Sequence, residues 1–227
     1  MPLSATEIVD LPGVPECHLP SAIASQLPES TPEAPWSVKA DGVIWVHKAG
    51  EGARAALPTA VRDLPALPVT LGALISYRDT PVGPYHEVLG APLLLRNPLP
   101  HLSVPFIAVD SVASVHGGRA HWGLPKVLAA FDWLPSGPTV AVDGEDWSVR
   151  VDTRALPVAF PYAGLLPQLQ PLPGGRLGRS LARMFALARP ALVTVATEGP
   201  SLPSWLVPGR HPGLVLKGAR MVVGRSR

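Results

Sequence analysis

Proline constrains this chain more than any other residue. Twenty-nine of the 227 residues are proline, about 13% against the ~5% usual in globular proteins. Each removes a backbone donor, and its ring clashes with the preceding helical turn. Only four stretches of 16 residues or more are free of it: 36–57, 106–124, 139–156 and 174–189. That spacing excludes a helical bundle and leaves a β-rich domain with short connections. A hydrophobic fraction of 47% is enough to build a core, so the prolines punctuate a folded chain. The length suits one domain. Residues 1–227 read as a single domain whose first 34 residues form a proline-rich arm.

Arginine outnumbers lysine fifteen to four, and the four are Lys39, Lys48, Lys126 and Lys217. A coding bias towards Ala, Arg, Gly and Pro explains the ratio, yet it makes each lysine worth questioning. Net charge is only +2. It is unevenly spread, with residues 1–113 at −5 and residues 114–227 at +7. Arg176, Arg179, Arg183 and Arg189 lack the interleaved aromatics that stack bases, Phe185 apart, and no DNA-binding motif is present. No nucleic-acid partner is expected. One cysteine, Cys17, excludes an intramolecular disulfide and a multi-cysteine zinc site, and in the arm it reads as an incidental thiol. The first 38 residues hold five acids and no Lys or Arg, unlike a secretory leader. No apolar run approaches the ~18 residues that cross a bilayer. The expectation is a soluble, cytoplasmic chain with no membrane partner.

Short β-favouring runs begin at Trp36 and Val43, on either side of an expected turn at Asp41-Gly42. Residues 49–64 suggest a short helix stopped by Pro65. Residues 69–77 and 86–95 read as strands flanking a turn-rich 79–84, and 105–109 as a compact apolar strand. Asp110-Ser111 is a helix N-cap signal and Gly117-Gly118 a stop, giving about two turns. Residues 127–133 follow as a strand, and 139–142 with 147–151 form a hairpin. Within 176–189, Leu177, Leu181, Met184, Phe185 and Ala188 fall at helical spacing. Residues 191–197 read as a strand.

Two stretches carry chemistry: YRDTPVGPYHE at 77–87 and GGRAHWGLPK at 117–126. In the second, Lys126 follows Leu124-Pro125 and precedes the apolar run from Val127 to Phe131. Burial disfavours an ammonium and lowers its pKa, and a neutral lysine attacks carbonyls to form an imine. The commoner fate of a lysine at a strand edge is to keep its ammonium in water.

Together the two stretches resemble the acetoacetate decarboxylase family. Its G-R-x(5)-P-K segment, with the Schiff-base lysine after the proline, matches Gly118, Arg119, Pro125 and Lys126 without a gap. Its D-T…G-x-Y-x-E pattern matches Asp79, Thr80, Gly83, Tyr85 and Glu87. The resemblance runs from about residue 35 to near the C-terminus. It implies an α+β fold of predominantly antiparallel β-sheet, cone- or barrel-like, with few short helices. It also implies that 176–189 is a strand despite its helical spacing, and that the chain assembles as a homo-oligomer.

By the same resemblance, Lys126 is the candidate nucleophile and Glu87 the candidate proton carrier. Tyr85, Arg119 and Trp122 are candidate substrate-binding residues. The implied reaction is a lyase step on a β-keto acid or related carbonyl compound, decarboxylation in the first instance, with no cofactor and no metal. His86, His116 and His121 form no recognisable ligand spacing, and strand alternation sends His86 away from Tyr85 and Glu87.

The departures from the family pattern are specific. A second lysine normally follows the first; here that position is Val127, which leaves desolvation alone to depress the pKa of Lys126. The usual Glu after G-R is Ala120, segment 36–48 has no Arg, and 72–74 is uncharged. Two rival readings follow: an aldolase or dehydratase acting on a larger conjugated carbonyl, and a non-catalytic pocket for a small apolar metabolite. A Lys126 paired with a carboxylate at bonding distance favours the binding pocket. One in an apolar cavity, within reach of Glu87 only through substrate or water, favours an enzyme.

Overall fold

The computed structural model describes residues 5–96, 99–133 and 139–227. Strands β1 (Trp36–Lys48), β2 (Ala66–Asp79), β3 (Tyr85–Arg96) and β4 (Leu99–Leu102) follow one another as an antiparallel meander. β5 (Phe106–Val109) pairs with β3, and the two-residue β6 (Val127–Leu128) lies parallel to β5. β7 (Ala130–Trp133), β8 (Thr139–Asp143) and β9 (Ser148–Ala155) make a second meander. β10 (Phe160–Pro171), β11 (Leu177–Glu198) and β12 (Gly209–Val223) make a third.

β12 also pairs with β1, and β10 meets β4 through one parallel bridge, Gln168 to Leu102. Seven strands, in the order β10-β4-β3-β2-β1-β12-β11, therefore close into a twisted ring. β9, β8 and β7 extend from the far half of β11. The architecture is the predominantly antiparallel α+β sheet expected, with short helices.

Alternation sorts the side chains into two main cores. In β5, Phe106 and Ala108 join Trp45, Trp147 and Trp205, whereas Ile107 and Val109 join Trp36, Tyr77, Tyr85 and Trp122. A strand buried on both faces reads as an unbroken apolar run, and all four residues of β5 are buried.

Several local expectations are corrected. Asp41-Gly42 lies inside the continuous β1, not in a turn; the register slips between Ala40 and Gly42 against β12 and between Lys39 and Ala40 against β2. A side chain on Gly42 would meet the Leu74 carbonyl at 2.8 Å, so the glycine permits close strand approach. Residues 49–64 hold two one-turn helices, Ala53–Ala56 and Thr59–Arg62, because Pro58 interrupts them. Residues 127–133 are split between β6 and β7.

The helix capped by Ser111, whose Oγ accepts from the Ser114 N–H at 3.2 Å, runs past Gly117-Gly118 to Trp122. Gly123, at φ +66°, ends it. The two internal glycines serve packing instead: a Cβ on Gly117 would sit 2.4 Å from the Trp36 ring, and one on Gly118 2.5 Å from Lys126 Cδ.

Residues 177–189 are strand, as the resemblance implied for 176–189 and the helical spacing did not. Small residues, Gly178, Ala182, Ala186 and Ala188, face inward, while Phe185 stands 62% exposed. Pro190 falls where the neighbour on one side changes from β10, ending at Ala188, to β9, starting at Ala191. A missing donor there interrupts neither ladder.

The arm packs across the sheet rather than dangling. Ile8, Val14, Cys17 and Leu19 are buried, and the Val14 N–H donates to the Pro105 carbonyl at 3.0 Å. The buried Glu16 carboxylate accepts from the N–H groups of Ser201 and Leu202 at 2.6 and 3.0 Å and from Ser201 Oγ at 2.6 Å. Residue 16 is thereby tied to the turn after β11. Among the described residues no helix is long and apolar enough to cross a membrane.

Candidate functional site

The turn at 80–84 brings Tyr77 and Tyr85 opposite each other across β2 and β3. Gly83 takes φ +85°, and its N–H donates to the Thr80 carbonyl at 3.1 Å. With period two, Tyr85 and Glu87 then point to the same side and His86 to the other. His86 Nδ1 lies 2.7 Å from Asp110 Oδ2, and its ring stacks on Phe131 at 5.8 Å. Lys126 is delivered from the opposite direction. The αL turn at Gly123 and the Pro125 linkage carry the chain from the helix end into β6, and Lys126 lies back across Gly118.

These elements meet at one buried cluster. Lys126 is 3% exposed and Glu87 4%. Lys126 Nζ donates to Glu87 Oε2 at 2.7 Å and to Ser114 Oγ at 2.9 Å. It lies 3.5 Å from the Tyr85 hydroxyl and 5.0 Å from that ring's centroid. The other Glu87 oxygen, Oε1, accepts from the Tyr77 hydroxyl at 3.1 Å. The cluster borders a cavity of about 140 Å³ to which all seven ring strands contribute, together with Trp122. Most of the lining is aliphatic or aromatic.

The electrostatics differ from the expectation. Burial pushes the Lys126 ammonium down, but the adjacent Glu87 carboxylate and the Tyr85 hydroxyl outweigh it and hold the amine above the ordinary lysine range. Desolvation therefore does not free the amine. Glu87, at bonding distance, keeps the Lys126 proton in place, which is the arrangement expected of the binding pocket, although the cavity around the pair is mostly apolar. Burial also raises Tyr77, further raised by Glu87, and Tyr85, where Lys126 only partly opposes it. Both phenols are held as neutral donors.

Of the candidate residues, Lys126, Glu87, Tyr85 and Trp122 border the cavity. Trp122 is fixed by its Nε1–H donating to the Gly224 carbonyl at 2.7 Å and by an edge-on contact with Trp36 at 5.0 Å. Arg119 is not brought there. Its guanidinium is fully buried and donates to four carbonyls, Lys126 at 2.6 Å, Ile8 at 3.1 Å, Val9 at 2.9 Å and Cys17 at 3.1 Å. Burial lowers its pKa to about 10. It clamps the arm to the lysine-bearing turn.

Ser114 and Tyr77 enter the cluster without having been candidates. Ser114 lies one helical turn before Gly118, so the i, i+4 relation puts both beneath Lys126. Tyr77 opens the first chemical stretch and is the cross-strand partner of Tyr85, a pairing that the short turn between them makes readable. His116 Nδ1 and His121 Nε2 both lie near Thr31 Oγ1, at 3.0 and 3.3 Å. Among the described residues no group of three or more His, Cys, Asp or Glu is placed to hold a metal.

Comparison with known structures defines the architecture. The acetoacetate decarboxylase of Legionella pneumophila superposes with a TM-score of 0.56 at 15% identity, covering 87% of this chain and 88% of its own. The enduracididine biosynthesis enzyme MppR, complexed with the condensation product of pyruvate and imidazole 4-carboxaldehyde, gives a TM-score of 0.58 at 14% identity, covering 86% and 89%. An acetoacetate decarboxylase-like enzyme from Sphingomonas wittichii gives 0.55 at 15%, covering 86% and 93%. No protein-family model and no curated protein matches the sequence. The chain has the acetoacetate decarboxylase-like fold.

Proposed function

We propose that the protein is a Schiff-base-forming lyase in which Lys126 attacks a carbonyl substrate and Glu87 moves protons. The observation that carries this reading is where the pair stands: an amine and a carboxylate, each almost fully buried, at the wall of a mostly apolar cavity in a fold shared with acetoacetate decarboxylase. Their direct contact at 2.7 Å, which alone favours the binding pocket, has to open for the chemistry. A single proton moved along that contact converts the ion pair into a neutral amine and a carboxylic acid with no change in net charge. Buried charges are costly even when paired, so a ligand that fills the cavity and displaces water from it favours the neutral form.

The amine then adds to the carbonyl carbon. The oxygen leaves as water after taking two protons, one released by the nitrogen and one supplied by Glu87, and the C=N bond that forms is a protonated imine. That cation accepts the electron pair of a breaking C–C bond and becomes an enamine. In a β-keto acid the departing fragment is carbon dioxide. In a β-hydroxy ketone it is an aldehyde, with Glu87 taking the hydroxyl proton. Return of a proton to carbon and addition of water release the product and restore Lys126. Tyr85, a neutral donor 3.5 Å from Nζ, is suited to hold the substrate oxygen. The reading is supported by MppR, similar in fold, whose structure holds the condensation product of pyruvate and imidazole 4-carboxaldehyde.

Borohydride reduction in the presence of a panel of ketones, aldehydes and keto acids tests the reading. The expected result is one added mass, mapped to Lys126 and absent from Lys126→Met. A panel that leaves Lys126 unmodified sinks the imine mechanism.

A further inference from the structure

The cavity's charges go further than the imine reading on which this inference rests. Besides Lys126 and Glu87, the one charged side chain on the lining among the described residues is Asp41. Asp41 is already engaged: it accepts from the Gly218 N–H at 2.7 Å and lies 3.4 Å from Arg78 and 3.9 Å from Lys217. The lining thus holds one cation and two carboxylates. Imine formation does not alter the count, because the protonated imine carries the same single charge as the ammonium and faces the same Glu87 oxygen.

A substrate carboxylate would enter as a third anion, with no arginine, histidine or second lysine on the described lining to receive it. An unpaired carboxylate is among the costliest groups to bury. The space is limited as well. At about 140 Å³ it is close to the ~150 Å³ apolar cavity that takes a benzene-sized guest. Met184 and Met221 border it, and flexible thioethers fit guests of varied outline.

We propose that the substrate is an uncharged ketone or aldehyde with an apolar body, of roughly six to nine non-hydrogen atoms judged from that volume, and not a keto acid. The carbonyl faces Lys126 and the Tyr85 hydroxyl, and the apolar body fills the space toward the methionines. Within the lyase reading this selects aldol-type cleavage or condensation over decarboxylation.

Two ligands of equal outline make the test: 5-methylhexan-2-one and 4-oxopentanoate, which differ by an isopropyl group in place of a carboxylate. Borohydride trapping at Lys126 is measured against ligand concentration at pH 7, with the thermal shift of the unreduced protein alongside. The expected result is half-maximal labelling by the neutral ketone at a concentration at least tenfold lower, and stabilisation by the ketone alone. Equal or stronger labelling by the acid overturns the inference and leaves the imine reading standing. Stabilisation by the ketone, with no adduct from any carbonyl, removes the imine reading while keeping the preference for an uncharged ligand. Neither labelling nor stabilisation by either compound overturns both.

Discussion

Replacing Glu87 with glutamine keeps the shape of the site and deletes one charge. Two unit charges about 4 Å apart, the scale of an ammonium-to-carboxylate contact measured between charge centres, attract by about 4 kcal/mol at an effective dielectric near 20. At about 1.4 kcal/mol per tenfold, that is roughly a thousandfold in proton affinity. In the wild type Glu87 and Tyr85 outweigh the burial of Lys126 and hold the amine above its ordinary value of 10.5. In Glu87→Gln burial is left opposed by Tyr85 alone, and the amine titrates below that value. With only four lysines in the chain, nitrogen-15 spectra of the side-chain amines against pH resolve Lys126 directly. Stability changes with the opposite sign in the two proteins. In the wild type, folded Lys126 binds its proton more tightly than unfolded lysine, so stability falls as pH rises above about 10.5. In the variant the unfolded chain binds the proton more tightly, so stability falls as pH drops below 10.5 and levels off once the folded-state value is passed. Adduct formation and turnover also separate. Trapping of a carbonyl persists because more of the amine is free than in the wild type, whereas turnover drops by about 10² to 10⁴ for want of a proton carrier. A Lys126 that titrates in the variant at or above its wild-type position would refute the charge-pair argument.

Three further outcomes are expected. Gly118→Ala places a methyl group 2.5 Å from Lys126 Cδ and 2.7 Å from Cε; because a flexible side chain can yield and alanine favours helix by about 1 kcal/mol, melting shifts little while borohydride labelling of Lys126 falls at least tenfold. Arg119→Gln removes most of four buried bonds to carbonyls; at about 1.5–3 kcal/mol for each charged bond the loss is several kcal/mol, read by urea unfolding, and limited proteolysis cuts the arm first. Cys17, whose thiol burial raises from 9.0 to about 12, stays protonated when folded while the unfolded thiol ionises; stability is full below pH 9, declines by about 4 kcal/mol as pH rises towards 12, and that part of the decline is missing in Cys17→Val.

Much of this fold was legible because strands advertise themselves by alternation and turn residues. The hairpin of β8 and β9 and the turn between β2 and β3 needed little more than Asp, Gly and Pro at the right places. What failed turned mostly on contacts with partners distant in sequence. Gly117-Gly118 reads locally as a helix stop, yet its missing Cβ atoms make room for Trp36 and Lys126, contacts no window of sequence contains. In β11 the apolar residues at helical spacing include Phe185, which faces outward, while alanines line the inside; the ring's interior demanded small residues, and periodicity weighs only large ones. At the site, Lys126, Glu87, Tyr85 and Trp122 were readable from the two motifs. The commitment of Arg119 to the arm was not, because its acceptors are carbonyls at residues 8, 9 and 17, and a carbonyl leaves no mark in sequence.

The same alternation accounts for Val127, the departure that most called the chemistry into question. Lys126 and Val127 are adjacent in extended chain, so their side chains leave on opposite faces. Lys126 faces the cavity, and Val127 is 4% exposed in the other core, with Phe106, Ala108 and Trp147. A lysine at that position would carry its ammonium into an apolar cluster with no acid of the site on its side, at a cost of several kcal/mol. Valine at 127 and the Glu87 contact are therefore two parts of one arrangement. Val127 joins the second buried core where the family pattern places a charge, and the carboxylate that faces the Lys126 proton is Glu87. Activation by a neighbouring cation lowers an amine's proton affinity at all times. Activation by a paired carboxylate leaves the amine protonated at rest and frees it only when the proton crosses to Glu87. Under the proposed mechanism such an amine stays unreactive towards adventitious carbonyls in the empty site and becomes nucleophilic when the cavity is filled; the expected outcome is a rate of borohydride labelling at Lys126 that rises with how well the ligand fills the cavity.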